Sequence, residues 1–401
     1  MSAAAASKTK VLVVGAGAIG LRTALEFIQR NVPVVLQAPK HPLHPSTCSM
    51  GAGGLWMPFH VNDPRTDRWA TETLNELLPL ATTTSNATTQ PPADKNLVEI
   101  VPTVLLMRNH GGPTVDEFAA NEYDYKLSDK LPGWSHDKRL EFQHLTVEML
   151  AWQNTVHQLR IPPQQELVDA GYKHAYFFRP PIVNTTAMLE HLLHQVQQGA
   201  QHCNVETGIE YESVQEMQET AKSFGCTAVV NCTGLGSREL CQDDEVVGAR
   251  GILLNFDRKA VVRRQAVMEG TYGDNLHDAV ICTDDAPWGT ETEPCYLIPR
   301  GDRIVVGGSY LEGDAEESIR HAERERLMQN AVKLGIDIEK SGVATEWTGF
   351  RPFRTAVRCE MDSNVMEDEP TVIHSYGYGG SGWTLNVGAA KEVANMLLGP
   401  K

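Results

Sequence analysis

Two glycine-rich segments, near opposite ends of the 401-residue chain, carry the residue types best suited to hold an anion. The first is Val13-Val14-Gly15-Ala16-Gly17-Ala18-Ile19-Gly20, and the second is Tyr376-Gly377-Tyr378-Gly379-Gly380-Ser381-Gly382-Trp383-Thr384. Each reads as a turn from a strand into a helix, where missing side chains let backbone N–H groups close on a phosphate. The G-x-G-x-x-G spacing of the first, inside a strand–helix–strand run, predicts dinucleotide binding. An acid normally ends the second strand of such a unit and holds the ribose. Here that place is taken by Gln37, Ala38, Pro39 and Lys40, which leaves Gln37 as the nearest substitute.

The second glycine segment separates the possible cofactors. A helix over Asn386–Leu398 would point its positive N-terminal end into the cleft. That dipole stabilises the anionic reduced ring of a flavin, a task a nicotinamide does not impose. The chain therefore reads as one wrapped around FAD from both ends.

A third group is Gly349-Phe350-Arg351-Pro352-Phe353-Arg354. Proline fixes the backbone just after Arg351, and a guanidinium at a fixed point suits bidentate capture of a carboxylate. Arg354 and Arg358, close to Glu360 and Asp362, read as ordinary ion pairs. There is no HExxH, no cysteine pair at zinc spacing and no GxSxG, so neither a metal centre nor a serine nucleophile is expected. His41 and His44 flank a proline loop and read as solvent-facing, not as ligands.

Around these residues the chain must build a scaffold. Its length suits two cores, and a composition of 41% hydrophobic and 21% charged residues is that of a globular protein. A net charge of −16 argues against nucleic-acid and anionic-membrane partners. The eight cysteines show no CxxC spacing and follow no secretory signal, so they read as free thiols in a reducing compartment. No apolar run approaches a membrane span. A cytoplasmic location is expected, with a peroxisomal one left open although the C-terminal Gly399-Pro400-Lys401 is not a Ser-Lys-Leu type address.

Buried strands are predicted at Lys10–Val14, Val34–Leu36 and Ala228–Gly234, the last ending in glycine, with helices at Ile19–Arg30, 66–80 and Thr185–Gln198. Alternation predicts strands over Val98–Met107, Ala175–Phe178, Val205–Tyr211 and several between 250 and 310, and one amphipathic helix over Ala315–Leu334. Thr82–Lys95 reads as an exposed insertion. The expected class is α/β: a parallel-sheet domain from 1–60, 185–245 and 370–401, interleaved with an antiparallel-sheet substrate domain from 61–184 and 246–369.

Taken together, these motifs resemble the D-amino-acid oxidase family, which includes the D-aspartate oxidases. The resemblance is carried by the N-terminal glycine motif, Gly51-Ala52-Gly53-Gly54-Leu55-Trp56-Met57-Pro58-Phe59, Val229–Gly236, Tyr296-Leu297-Ile298-Pro299, Gly307-Gly308, Gly349–Arg354 and His374–Thr384. It implies a Rossmann-like FAD-binding layer. It also implies cofactor contacts from Gly15, Ala16, Gly17, Ala18, Ile19, Gly20, Thr47, Cys48, Ser49, Gly53, Gly54, Leu55, Thr233, Gly234, Gly379, Gly380, Ser381, Gly382, Trp383 and Thr384. FAD is expected to be non-covalent, because the residues around Cys359 do not resemble those of flavin-tethering amine oxidases.

By the same resemblance Arg351 pairs the substrate α-carboxylate, the Tyr296 hydroxyl joins it, and the Gly380 carbonyl accepts a hydrogen bond from the amine. The family's second pocket tyrosine falls on Thr292, leaving Trp288 or Tyr310 to close the site. The implied reaction is oxidative deamination of a D-amino acid with O2, giving a 2-oxo acid, ammonia and hydrogen peroxide. Side-chain preference is read from two features. Tyr310 follows Gly307-Gly308-Ser309, where aspartate-preferring relatives carry a basic residue, and residues 278–296 hold Asp278, Asp284, Asp285, Glu291 and Glu293 without a Lys or Arg. Neutral or basic side chains are therefore expected, with Met57 and Phe59 as an apolar wall. A D-aspartate oxidase or a sarcosine/glycine-oxidase-like enzyme is the alternative, and a homodimer is left open.

Overall fold

The computed structural model describes residues 9–58, 61, 63–82, 97–108, 131–199, 204–263, 277–283, 288–363 and 368–401. Phe59, Cys203, Asp284, Asp285 and all but the first residue of the Thr82–Lys95 insertion lie outside the described residues. One continuous 14-stranded sheet runs through the molecule. At one side the strands Asn204–Thr207, Val34–Ala38, Val11–Val14, Ala228–Asn231 and Thr371–Tyr378 lie parallel in that order. The sequences VLVV, VVLQA and AVVN are buried along their whole length, as strands covered on both faces must be.

The sheet then turns antiparallel, except that Val280–Thr283 pairs parallel with Thr103–Met107. Thr345–Met361 pairs with Thr371–Tyr378 on one edge and with Val247–Asp257 on the other. Beyond these come Arg303–Gly307, Cys295–Arg300 and Val280–Thr283. Thr103–Met107, His174–Phe178 and Gln143–Thr146 complete the far side. The two layers expected from the sequence thus share one hydrogen-bonded sheet, giving a mixed α/β fold.

Several elements differ from expectation for local reasons. The run Val98–Met107 splits at Val101-Pro102, since proline has no N–H for the ladder; Val98–Ile100 joins a small three-stranded sheet instead. The helix expected over Ala315–Leu334 begins only at His321. Arg320 is extended there, and its N–H is capped by Glu323. The preceding carbonyls of Glu316 and Ser318 instead accept hydrogen bonds from the buried guanidinium of Arg250, which also pairs Glu323 at 2.7 Å. The last helix spans Gly382–Leu398, starting earlier than Asn386. It packs so closely on the helix Thr66–Leu77 that a Cβ on Gly388 would lie 2.7 Å from that of Trp69. Arg30, at the end of the helix Ala18–Gln29, donates to Asn395 at 2.8 Å, tying the first helix to the last.

At the far side of the sheet, His144 sits against His174, with ring centroids 5.3 Å apart, and edge-on to Tyr176. Burial, with the His174 ring beside it, pulls the His144 imidazole down to about 4, and burial lowers His174 too. The unfolded chain then takes up protons first, at the ordinary imidazole value of 6.5. Stability held above pH 6.5 should therefore drain away as pH falls toward 4. Allowing for the partial exposure of His144, this amounts to ~1–2 kcal/mol. Denaturant midpoints of wild type and His144→Gln across that range should converge as pH drops; parallel curves would contradict it.

Candidate active site

A cavity of about 920 Å³ opens where the parallel and antiparallel regions of the sheet meet. Its floor at one end is the turn after Val11–Val14. Gly15 has φ +107°, and a Cβ there would strike the carbonyl oxygen of Cys232, so the turn admits only glycine. Gly20 sits one helical turn on and faces the Gly15 carbonyl, which lets helix and turn close together. The helix Ala18–Gln29 opens with no side-chain cap and no acidic residue in its first turn. Its positive N-terminal end, where Gly17, Ala18 and Ile19 line the cavity, therefore has no acidic residue beside it; Ala18 N–H is spent on Ser49 Oγ at 3.0 Å.

Ser49 is also the joint between the two glycine segments. The Trp383 indole N–H donates to its carbonyl at 2.8 Å. Gly15, Ala16, Gly17, Ala18 and Ile19 line the cavity together with Thr47, Cys48, Ser49, Gly53, Gly54, Leu55, Thr233, Gly234, Gly379, Gly380, Gly382 and Trp383. Gly20, Ser381 and Thr384 stand behind the wall. Ser381 is fully buried, and the Thr384 hydroxyl bonds both the N–H and the carbonyl of Met57 at 3.2 Å. A glycine cradle, an uncapped helix end and a second helix start at Gly382 fit an extended dinucleotide that carries a pyrophosphate.

Gln37 does not reach the cavity. Its amide donates to Glu206 at 2.6 Å and accepts from the Tyr211 hydroxyl, while Ala38, Pro39, Lys40, Glu210 and Tyr211 form the wall. Cys359 is buried in the core and does not line the cavity. None of the seven described cysteines is in a disulfide, and no cluster of three or more metal-ligating side chains occurs among the described residues.

At the other end of the cavity stands Arg351, on the strand Thr345–Met361. Its guanidinium lies flat over Gly251 of the neighbouring strand, where a Cβ would come within 2.5 Å of it. It donates to the Ser309 carbonyl at 2.8 Å and packs 5.2 Å above the Tyr310 ring. Among the described residues no carboxylate lies within ion-pair distance of Arg351. Arg354 and Arg358, in contrast, pair with Asp243 at 3.0 and 4.0 Å, and Arg358 also with Glu360 at 3.0 Å. A guanidinium fixed by a carbonyl and a ring, with no carboxylate partner among the described residues, has the chemistry to take up an anion.

Tyr296 lies beside it, its ring resting on the backbone of Gly307 and Gly308. Burial pushes its phenol up, and the neighbouring Arg351 charge draws it partly back, so it stays a protonated donor. Burial likewise raises the Cys48 thiol, across from Arg351. Of the two aromatics considered for closing the site, Tyr310 lines the cavity and Trp288 does not; Trp288 stacks edge-on against Tyr172 in the second core. Thr292 is occupied by accepting Tyr310 N–H on its carbonyl at 2.7 Å.

Sequence reasoning passed over Trp347. Its ring covers both Gly51 and Gly349, and its indole N–H donates to the Pro45 carbonyl at 2.9 Å. The adjacent Thr348-Gly349 was a usable signal, because a glycine beside an aromatic on a strand marks a site where a ring must lie flat. Leu105, Leu253 and Tyr176 also line the cavity and were not singled out, and Ile298 of the Tyr296–Pro299 motif lies there too. Met57 lines it as expected. The acidic stretch 278–296 is less negative than it reads: Asp278 pairs Arg258 at 3.0 Å, and Glu293 pairs Arg326 at 3.3 Å.

No helix among the described residues is long and apolar enough to cross a membrane. Against known proteins, residues 10–396 match the model of the FAD dependent oxidoreductase family. A D-amino-acid oxidase of Streptomyces coelicolor is 25% identical over 389 residues, covering 96% of each chain. D-aspartate oxidase 1 of Caenorhabditis elegans is 23% identical, covering 97% of this chain and 96% of the relative. Among solved structures, a glycine oxidase from Geobacillus kaustophilus superposes with a TM-score of 0.66 at 15% identity over 98% of this chain and 95% of its own, a likeness of fold. The glycine cradle, the two helix ends and the matched family model agree: this chain belongs to the FAD dependent oxidoreductase family.

Proposed function

We propose that the protein oxidises D-amino acids with neutral side chains to 2-oxo acids and ammonia, using non-covalent FAD and O2 and releasing hydrogen peroxide. One observation carries this reading: Arg351, with no carboxylate partner among the described residues, shares a cavity with the main chain of Gly379 and Gly380. Bound FAD would supply the acceptor for the substrate α-hydrogen, taken as hydride. The glycine cradle at Gly15–Ile19 and the helix ends at Ala18 and Gly382 would hold it. Arg351 would bind the α-carboxylate, with the Tyr296 hydroxyl donating to the same group. The Gly380 carbonyl would accept a hydrogen bond from the neutral amine. With carboxylate and amine both held, only one enantiomer turns its Cα–H toward the flavin and its side chain toward the apolar wall, so selection comes from position and asks no side chain to act as a base.

The walls favour neutral side chains over a second carboxylate. Leu55, Leu105, Leu253, Ile298 and Trp347 surround the substrate end together with the ring of Tyr310, and none of them offers a cation for a second carboxylate. Pairing of Asp278 and Glu293 weakens the attraction expected for basic side chains, so these rank second. Anaerobic titration of the yellow protein tests this. D-alanine should bleach the flavin absorbance and L-alanine should not. D-aspartate should need on the order of tenfold or more higher concentration, because it would bury an unpaired charge. Bleaching by D-aspartate first, or by sarcosine alone, would transfer the assignment to the D-aspartate or secondary-amine oxidases.

A further inference from the structure

The strands Thr345–Met361 and Thr371–Tyr378 lose register at one place. Phe353 pairs with Tyr378 and Arg358 with Tyr376, so Arg354 to Val357 bulge opposite the single residue Gly377. Gly377 takes φ +86°, and a Cβ on it would come 2.7 Å from that of Arg354. Asp243 closes this bulge from outside both strands. Its Oδ2 accepts from Arg354 Nε at 3.0 Å and from the Tyr376 hydroxyl at 2.8 Å, and Arg358 lies 4.0 Å away. Arg358 in turn donates to the Tyr376 hydroxyl at 2.8 Å. The Asp243 side chain is 8% exposed and the Tyr376 residue 1%, so water does not compete freely for these bonds.

The position of this staple gives it a role. Arg351 precedes the bulge by three residues on one strand, and Gly379-Gly380 begin two residues after Gly377, in the turn that ends the other. We propose that Asp243 is a positioning residue that sets the separation between the Arg351 guanidinium and the Gly380 carbonyl. It thereby matches them to a substrate held at both its carboxylate and its amine. The inference rests on the anchor roles given to those two residues above. A bulge adjacent to a site re-aims the groups beyond it, and here one carboxylate fixes how far it opens.

The test separates one-point from two-point ligands on the flavin-loaded enzyme. Benzoate offers a carboxylate and no amine; D-alanine offers both. In Asp243→Asn the benzoate dissociation constant, read from the flavin spectrum, should stay within about threefold of wild type. The KM for D-alanine should rise about tenfold or more, with a smaller loss in kcat. Arg354→Gln, which breaks the same staple from its other side, should show the same split, and serves if Asp243→Asn does not hold flavin. Equal changes for both ligands, or none in either variant, would overturn the proposal. Failure of the anchor roles themselves would look different: Arg351→Ala would then leave benzoate binding intact.

Discussion

Arg351→Ala should yield a folded, yellow protein whose kcat/KM for D-alanine is lower by on the order of 10²–10³-fold. The size follows from losing a charge-assisted, bidentate contact to a carboxylate that is then buried without its partner, about 3–4 kcal/mol. The fold should tolerate the change, since the hydrogen bond given up is one to the Ser309 carbonyl, at the cavity wall. Flavin should stay, because the elements that cradle it do not depend on this side chain. Arg351→Lys should recover only part of the rate: an ammonium cannot reproduce the planar fork or lie flat across Gly251. Steady-state kinetics with the flavin-to-protein ratio measured on the same samples decides the matter. Near-normal turnover in the alanine variant would remove Arg351 from the site.

Gly15→Ala should act at the opposite end of the cavity and remove the cofactor. Alanine at φ +107° costs ~1–3 kcal/mol from backbone strain alone. The added methyl also meets the Cys232 carbonyl, which cannot retreat: Cys232 N–H is bonded to the Val14 carbonyl at 2.8 Å within the parallel ladder. The turn must shift, and with it the N–H groups at the start of the helix Ala18–Gln29. FAD affinity should fall on the order of a hundredfold or more, leaving a nearly colourless preparation. Titration with FAD, followed by flavin fluorescence, measures this directly. A variant purified with full flavin would show that the first glycine turn is not the pyrophosphate site.

The parallel region was legible because its strands are covered on both faces and read as unbroken apolar runs flanked by glycine. The helix after Gly15 announced itself by period. Less was readable where a tertiary contact decides. Nothing near Ala315 signals that the carbonyls of Glu316 and Ser318 are taken by Arg250, a guanidinium far away in sequence. Gln37 looked like a ribose ligand from its place on the strand, but Glu206 on the adjacent strand, in register with it, claims its amide. Proline after Arg351 and the acids near Arg354 set the two apart in sequence, but the partner of Arg354 was hidden: it is Asp243, distant in sequence, while Arg351 lies over Gly251. The shape of the substrate wall was likewise hidden, since Trp347, Leu105 and Leu253 come from three strands that meet only in the folded sheet.

The unbroken sheet constrains how molecules enter and leave. Each strand from Asn204–Thr207 to Gln143–Thr146 is hydrogen-bonded to the next, with a single bulge at Arg354–Val357 where the two regions meet. Swinging the two halves apart like a clamshell would tear the ladder between Thr345–Met361 and Thr371–Tyr378, a cooperative rupture unlike the loop-mediated hinges of closing enzymes. Traffic through this molecule must therefore be handled locally, by residues at the rim, while the platform that carries the reactants stays stiff through each turnover.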